Sequence, residues 1–146
     1  VIPRERRKNR NTPGDPHVVP LTPLHRALLK TIKETNQSGE WLFPHQDGQQ
    51  PRNADALCHA TRCFCVKNQL KPFAPRDCRR TFKTLTGSIG IDLELRNRLQ
   101  GHAMTDVGSV HYDRWSYLPQ KREGMELWTT ALENRLLDNQ TIGSKR

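Results

Sequence analysis

The sequence has no long apolar run and few aromatic side chains. Of its 146 residues, 34% are hydrophobic and 6% are aromatic, and no apolar stretch approaches the roughly 20 residues that a membrane helix needs. The N-terminus also lacks the charged region followed by an apolar region that marks a secretory signal. These absences exclude a membrane-spanning protein. We expect a cytoplasmic protein with one modest core, a single site and no membrane partner.

The cysteines do not form a recognisable ligand or disulfide pattern. Cys58, Cys63, Cys65 and Cys78 are spaced by five, two and thirteen residues, which matches neither a zinc module of paired C-x2-C motifs nor a secreted disulfide framework. We therefore interpret them as reduced and mostly buried thiols, and we expect no metal site built from them.

Acidic residues are in deficit. The chain has 24 Lys and Arg against 15 Asp and Glu, which gives a net charge of +9. Residues 1–10 and 71–83 each carry a net charge of +4, so almost all of the excess lies in two short segments. A concentrated excess of this kind favours a polyanionic partner, because neutralising phosphates releases bound counterions. Solvated surface charge is the alternative that charge alone leaves open.

Turn-forming residues predict a β-hairpin near the N-terminus. Two extended pieces, one from Arg6 to Asn9 and one at HVVPL from His17, flank the turn-rich segment NTPGDP. This arrangement is typical of two antiparallel strands. Together with the helical patterns that follow, it predicts a mainly α-helical α+β domain with one small antiparallel hairpin and about five to six helices.

Apolar residues at helical spacing predict two helices after the hairpin. The first begins after Thr22 as N-cap and ends between Asn36 and Gly39, and the second runs from about Asn53 to Leu70. The residues predicted to face inward on these helices are Leu24, Ala27, Leu28, Ile32, Leu57, Ala60 and Phe64.

A third helix, starting near Pro75, combines an apolar stripe with a basic face. The stripe consists of Cys78, Phe82, Leu85 and Ile89. At about 100° per residue, the cationic side chains fall on the opposite face of this helix. These cations are Arg76, Arg79, Arg80 and Lys83.

Two further helices are predicted toward the C-terminus. A fourth, from about Asp92, ends at Gly101 as the C′ residue, which leaves His102 just past its end and within reach of a ligand. A short segment from Asp106 to Tyr112 leads to a last helix from about Pro119, and residues 139–146 are expected to be a frayed tail. The residues predicted to face inward are Leu95, Leu99, Met125, Trp128, Leu132 and Leu136.

Three motifs in order, PRDCRRTFKT, LQGH and HYDRWSY, resemble the motif boxes of tyrosine recombinases, most of all those of prophage integrases. The family's first box, H-x-L-R-x-T, matches Arg76, Cys78, Arg79 and Thr81. Its L-G-H box matches Gln100, Gly101 and His102, and its third box supplies the nucleophilic tyrosine. The segment RRKNR before HVVPL resembles the family's hairpin lysine and its H-x-V-P-L strand. The resemblance covers nearly the whole chain.

The resemblance implies a catalytic domain with the fold of DNA breaking-rejoining enzymes, in a protein encoded by a bacterium or phage. It implies site-specific recombination of double-stranded DNA at attachment sites, for integration or excision of a mobile element, by a homotetramer. Neither a cofactor nor a metal nor a small-molecule substrate is implied. The catalytic residues would be Tyr112, Arg79, His102, Lys8 and Arg76, and the DNA-binding residues would be Arg6, Arg7, Arg10, Arg80 and Lys83.

These residue types suit the chemistry. A phenol with a pKa of about 10 attacks a phosphodiester only if cations stabilise its anion. Arg79 offers a planar fork to two phosphate oxygens, His102 donates a hydrogen bond or exchanges a proton, and Lys8 protonates the leaving 5′ oxygen. Tyr117 is the alternative nucleophile, but its spacing from His102 fits the family less well. His17, His25, His45 and His59 have no partner that the sequence identifies.

The chain departs from the family at two points. Arg76 stands where most members have histidine, which keeps phosphate binding but removes a second acid-base group. The family's first catalytic arginine lies upstream of the hairpin lysine, in a segment that these residues do not include, and the arm-binding and core-binding domains are also absent. We therefore expect residues 1–146 to be a partial catalytic domain that cleaves DNA poorly by itself. A non-catalytic DNA-binding module and a type IB topoisomerase are the alternatives.

Overall fold

The structure of the chain, a computed structural model, describes residues 1–3, 5, 16–36, 39–102 and 115–143. Five helices occur in these ranges: α1 (Pro23–Asn36), α2 (Ala54–Lys67), α3 (Pro75–Ser88), α4 (Leu93–Leu99) and α5 (Leu118–Gly143). Their positions confirm the five helices predicted from apolar spacing. The predicted segment from Asp106 to Tyr112 lies outside the described residues. The frayed tail predicted over residues 139–146 overlaps the end of α5 and stays a prediction.

The prediction of an α+β fold is wrong, because the described residues contain helices but no β-strand. The first predicted strand lies outside these residues. In the second predicted strand, His17 is the one residue that forms a β-bridge. Its backbone exchanges hydrogen bonds of 2.8 and 2.9 Å with the backbone of Ile2. Pro16 and Pro20 lie on either side of this pair and have no N–H to donate, so a continuing ladder is disfavoured there.

Three of the helices end in the same hydrogen-bonded turn, the Schellman motif. After α2, Leu70 N–H donates to the Cys65 carbonyl at 2.9 Å; after α3, Ile91 N–H donates to Thr86 at 3.0 Å; after α4, His102 N–H donates to Asn97 at 2.9 Å. The motif needs a left-handed residue at C′. Gln69, Gly90 and Gly101 fill that position with φ of 52°, 86° and 64°.

The chain divides into two compact units, one formed by Val1–Thr22 with Thr86–Arg146 and the other by Pro23–Leu85. In the first unit, the hydrophobic core of the described residues consists of Ile91, Leu99 and Met125, and Pro20 and Gly124 are also buried. The α carbon of Gly124 lies close enough to α4 that a Cβ there would be 3.4 Å from side-chain atoms of Leu95 and Leu99. The Thr22 and Thr129 hydroxyls share a buried hydrogen bond of 3.1 Å. The small size of Gly124 on α5 thus allows α4 to pack closely against it.

The second unit buries little apolar surface in the described residues, where Cys65, at 2% exposure, is the buried hydrophobic residue. The inward faces predicted for α1 and α2 are wrong in part, since Leu28, Leu57 and Phe64 are each more than half exposed. Cys58, Cys63 and Cys78 are exposed free thiols. The prediction that most of the cysteines are buried is therefore wrong, because Cys65 alone of the four is buried.

Within the described ranges, no helix has the length and apolar character needed to cross a membrane.

Candidate functional site

The basic residues of α3 are held on a helix with a well-defined start. Pro75 occupies the first helical position, where a missing N–H has no consequence. Two residues on, the Asp77 carboxylate accepts a hydrogen bond of 2.9 Å from the Ala74 N–H, and the Asp77 N–H donates to the Ala74 carbonyl at 2.8 Å. This is the returning half of a capping box, which fixes the first turn of the helix. The first turn also carries Arg76.

Asp77 is the acidic member of this turn. The hydrogen bond from the Ala74 N–H, and then the charge of Arg80, lower the pKa of the Asp77 carboxyl below its ordinary value. The Arg80 guanidinium lies 3.1 Å from the carboxylate. Arg80 is thus partly engaged by an intrahelical ion pair.

The predicted basic face of α3 is present on its exposed side. Arg76, Arg79 and Arg80 are exposed and Lys83 is half-buried, and the spacing of three and four residues places all four along one side of the helix. Phe82 and Leu85 are half-buried and Thr86 is fully buried. The predicted division of α3 into an apolar and a basic face is confirmed in part: the three arginines are exposed, but Lys83 is half-buried as Phe82 is, and Cys78 of the apolar stripe is exposed.

His102 occupies a defined position directly after α4. Asp92 caps the start of this helix by accepting a hydrogen bond of 2.9 Å from the Leu95 N–H, and Gly101 turns the chain at its end. In addition to the backbone bond from His102 to Asn97, the His102 Nδ1 lies 3.2 Å from the Asn97 side-chain oxygen. The imidazole is exposed. The predicted placement of His102 just past a helix end is confirmed.

His17 is a neighbour of this turn that the sequence did not reveal. Its Nε2 lies 3.1 Å from the Leu99 carbonyl oxygen, 82 residues away along the chain. Its ring also lies against Gly101, where an added Cβ would be 3.2 Å from ring atoms. The one signal in the sequence was the resemblance of HVVPL to the family's H-x-V-P-L segment.

Tyr117, the alternative nucleophile, is packed beneath a cation. The Arg98 guanidinium lies 3.6 Å from the centre of the Tyr117 ring. Arg98 also donates to the Glu94 carboxylate, with one Glu94 oxygen 2.7 Å from the Arg98 Nη2 and 2.8 Å from its Nε. Such a stacked arrangement restrains both side chains. Arg98 thereby ties the start of α5 to α4.

The predicted site residues fall into three groups. The four α3 cations share one helix face, and His102 lies with Asn97 and His17 at the end of α4. The first group belongs to the unit of Pro23–Leu85, and the second belongs to the unit that contains Thr86–Arg146. Outside the described residues lie the predicted nucleophile, the predicted general acid and three DNA-binding arginines, namely Tyr112, Lys8, Arg6, Arg7 and Arg10.

No group of three or more His, Cys, Asp or Glu side chains in the described ranges is arranged to hold a metal ion. Comparisons of this chain with protein-family models, with curated proteins and with solved structures each gave no match.

Proposed function

We propose that this chain supplies active-site residues of a tyrosine recombinase, which integrates or excises a mobile element by cutting and rejoining DNA strands. The observation that carries the proposal is the exposed arginine face of α3. It coincides with the box of the sequence that resembles the phosphate-binding box of the family, and its guanidinium groups suit bidentate contacts to phosphate oxygens.

The proposed reaction conserves the energy of the phosphodiester bond. The Tyr112 phenolic oxygen attacks the phosphorus, its proton passes to His102, and the bond from phosphorus to the 5′ oxygen breaks. Lys8 gives a proton to that oxygen, so the products are a 3′-phosphotyrosyl link and a 5′-hydroxyl. Attack by the 5′-hydroxyl of another strand reverses these steps and releases Tyr112. The exchange needs no nucleotide, and DNA attachment sites bound by a homotetramer bring the strands together.

The cations act on the charge that develops during attack. Arg79 and Arg76 stabilise the extra negative charge of the pentavalent phosphate, and His102 donates a hydrogen bond to the same group. Arg6, Arg7, Arg10, Arg80 and Lys83 bind the DNA backbone on either side and set its register.

Spacing favours Tyr112 over Tyr117 as the nucleophile, because Tyr112 is the tyrosine whose distance along the chain from His102 fits the resemblance. The Arg98 guanidinium, 3.6 Å from the centre of the Tyr117 ring, restrains the Tyr117 side chain at the start of α5.

The test is a suicide DNA substrate, nicked near the cleavage point so that the short leaving strand diffuses away and rejoining fails. The chain is expressed with any residues that its gene encodes before Val1, because the family's first catalytic arginine precedes the hairpin lysine. We expect a protein–DNA adduct that survives denaturant. Arg79→Ala should reduce the rate of its formation by about 10²- to 10³-fold, whereas Lys30→Ala, which removes the same charge from α1, should not.

Other outcomes would identify the alternatives. DNA binding with no adduct would indicate a non-catalytic DNA-binding module. An adduct that relaxes supercoiled plasmid but never joins strands from two sites would indicate a type IB topoisomerase. An undiminished rate in Arg79→Ala would show that the α3 face does not contact the reacting phosphate.

A further inference from the structure

The His17 side chain contacts the C-terminal end of α4. The last four carbonyls of a helix have no donor within the helix, and the His17 Nε2 lies 3.1 Å from one of them, that of Leu99. Since the carbonyl can only accept, His17 must carry a proton on Nε2. The backbone of His17 is itself fixed, because it exchanges hydrogen bonds of 2.8 and 2.9 Å with Ile2.

The same ring closes over the turn that follows the helix. A Cβ at Gly101 would lie 3.2 Å from the Cδ2 and Nε2 atoms of His17, which is closer than most side chains approach. Gly101 is therefore required for two reasons, namely its φ of 64° and the nearness of the imidazole. The turn and the ring restrain each other.

That turn sets the backbone position of His102. The His102 N–H donates to the Asn97 carbonyl at 2.9 Å, and its Nδ1 lies 3.2 Å from the Asn97 side-chain oxygen. An oxygen partner of this kind favours the neutral imidazole that is protonated on Nδ1. Nε2 is then the ring nitrogen that can take up a proton, and only the ring protonated on both nitrogens donates from Nε2 to a phosphate oxygen.

We propose that His17 is a positioning residue for His102: it locks the end of α4 and so fixes the direction of the His102 imidazole without touching DNA. The role in cleavage rests on the proposed recombinase function, whereas the contact itself does not. Second-layer groups that orient a reacting histidine act in this way, and a displacement of about 1 Å can lower a rate by about 10²-fold.

The first test needs no DNA. Long-range 1H–15N NMR of the chain should show neutral His17 protonated on Nε2, and hydrogen exchange should show a protected His102 amide. His17→Ala should shift the His102 ring signals and speed exchange of that amide at least tenfold, while His17→Gln, which keeps a donor, should restore protection. His45→Ala is the matched control, because His45 is exposed and pairs with Asp47 at 3.1 Å. An Nδ1 proton on His17, or an equally protected amide in His17→Ala, would overturn the proposal.

The second test measures cleavage of the suicide substrate. His17→Ala should slow adduct formation by about 100-fold at unchanged DNA affinity, and His17→Gln should recover most of the rate. In a His102→Ala background, His17→Ala should have little further effect, because a positioning residue acts through its target. Equal losses in both backgrounds would contradict the proposal.

Absence of adduct from the unsubstituted protein would instead remove the recombinase function, and the NMR test would still decide whether His17 orients His102.

Discussion

Gly101 combines backbone conformation with a side-chain contact. Its φ is 64°, a region that costs an ordinary residue about 1–2 kcal/mol, and a Cβ would also press on the His17 ring at 3.2 Å. We predict that Gly101→Ala lowers the free energy of unfolding by at least that amount, as measured by urea denaturation followed by circular dichroism.

Gly48→Ala separates the two causes. Gly48 has a similar φ of 69°, but a Cβ there would meet nothing within 4 Å. Gly48→Ala should therefore lower the free energy of unfolding only by the cost of the backbone conformation. Equal decreases for Gly48→Ala and Gly101→Ala would mean that the His17 contact contributes nothing.

Asp77 gives a prediction about pH. Its folded pKa is lowered below the ordinary value of 3.8 by the Ala74 N–H and by Arg80. A group with a lowered folded pKa stabilises the fold above its unfolded pKa and loses that contribution as pH falls through its folded pKa. NMR titration of the Asp77 side chain should therefore give a midpoint below 3.8.

In Asp77→Ala, the free energy of unfolding should decrease less as the pH is lowered, because the contribution of this capping carboxylate is already absent. Asp55→Ala is the matched control, because Asp55 is an exposed carboxylate in the first turn of α2. A midpoint for Asp77 at or above the ordinary value would contradict the capping role.

Among the elements, α2 and α4 differ in how much apolar surface they bury. Leu57 on α2 is 58% exposed and Leu99 on α4 is 5% exposed. Replacing a buried leucine by alanine costs about 2–5 kcal/mol, whereas surface substitutions usually stay within about 0.5 kcal/mol. We predict that Leu99→Ala lowers the free energy of unfolding by the larger amount and Leu57→Ala by the smaller. Comparable losses in thermal or urea unfolding would show that α2 buries Leu57.

Helix positions could be predicted from the sequence because their signals are local. Pro75 and Asp77 mark the start of α3, Asp92 marks the start of α4, and Gly101 marks its end, each through contacts within a few residues. The inward faces of α1 and α2 could not be predicted, because Leu28, Leu57 and Phe64 fit a helical stripe whether or not another element covers it. The hairpin prediction relied on turn residues and gave too little weight to Pro20, which interrupts a ladder.

The candidate site was predictable to a similar extent. The exposed arginines of α3 and the position of His102 followed from helical periodicity and from the glycine C′ rule. His17 was missed because its contact with Leu99 spans 82 residues, and no local pattern records such a pairing. The stacking of Arg98 on Tyr117 was also not predicted.

For the whole molecule, the net charge of +9 gives a prediction about salt. DNA binding should weaken steeply with added salt. In a plot of the logarithm of the binding constant against the logarithm of the salt concentration, the slope should be about −0.9 for each phosphate neutralised. Arg76→Ala should reduce that slope by about one. Lys30→Ala lowers the net charge equally but removes an exposed α1 residue 3.8 Å from Glu34, so it should leave the slope unchanged. A flat salt response, or equal effects of the two variants in fluorescence anisotropy, would contradict the assignment of the α3 face to phosphate binding.

The proposed recombinase function requires a covalent bond between DNA and one particular protein atom, the phenolic oxygen of Tyr112. Adduct from the suicide substrate can be digested with nuclease and protease, and the peptide that retains a nucleotide can be sequenced by mass spectrometry. We predict a phosphotyrosyl nucleotide on Tyr112, and loss of adduct in Tyr112→Phe but not in Tyr117→Phe. A nucleotide on Tyr117, or adduct that persists in Tyr112→Phe, would contradict the account.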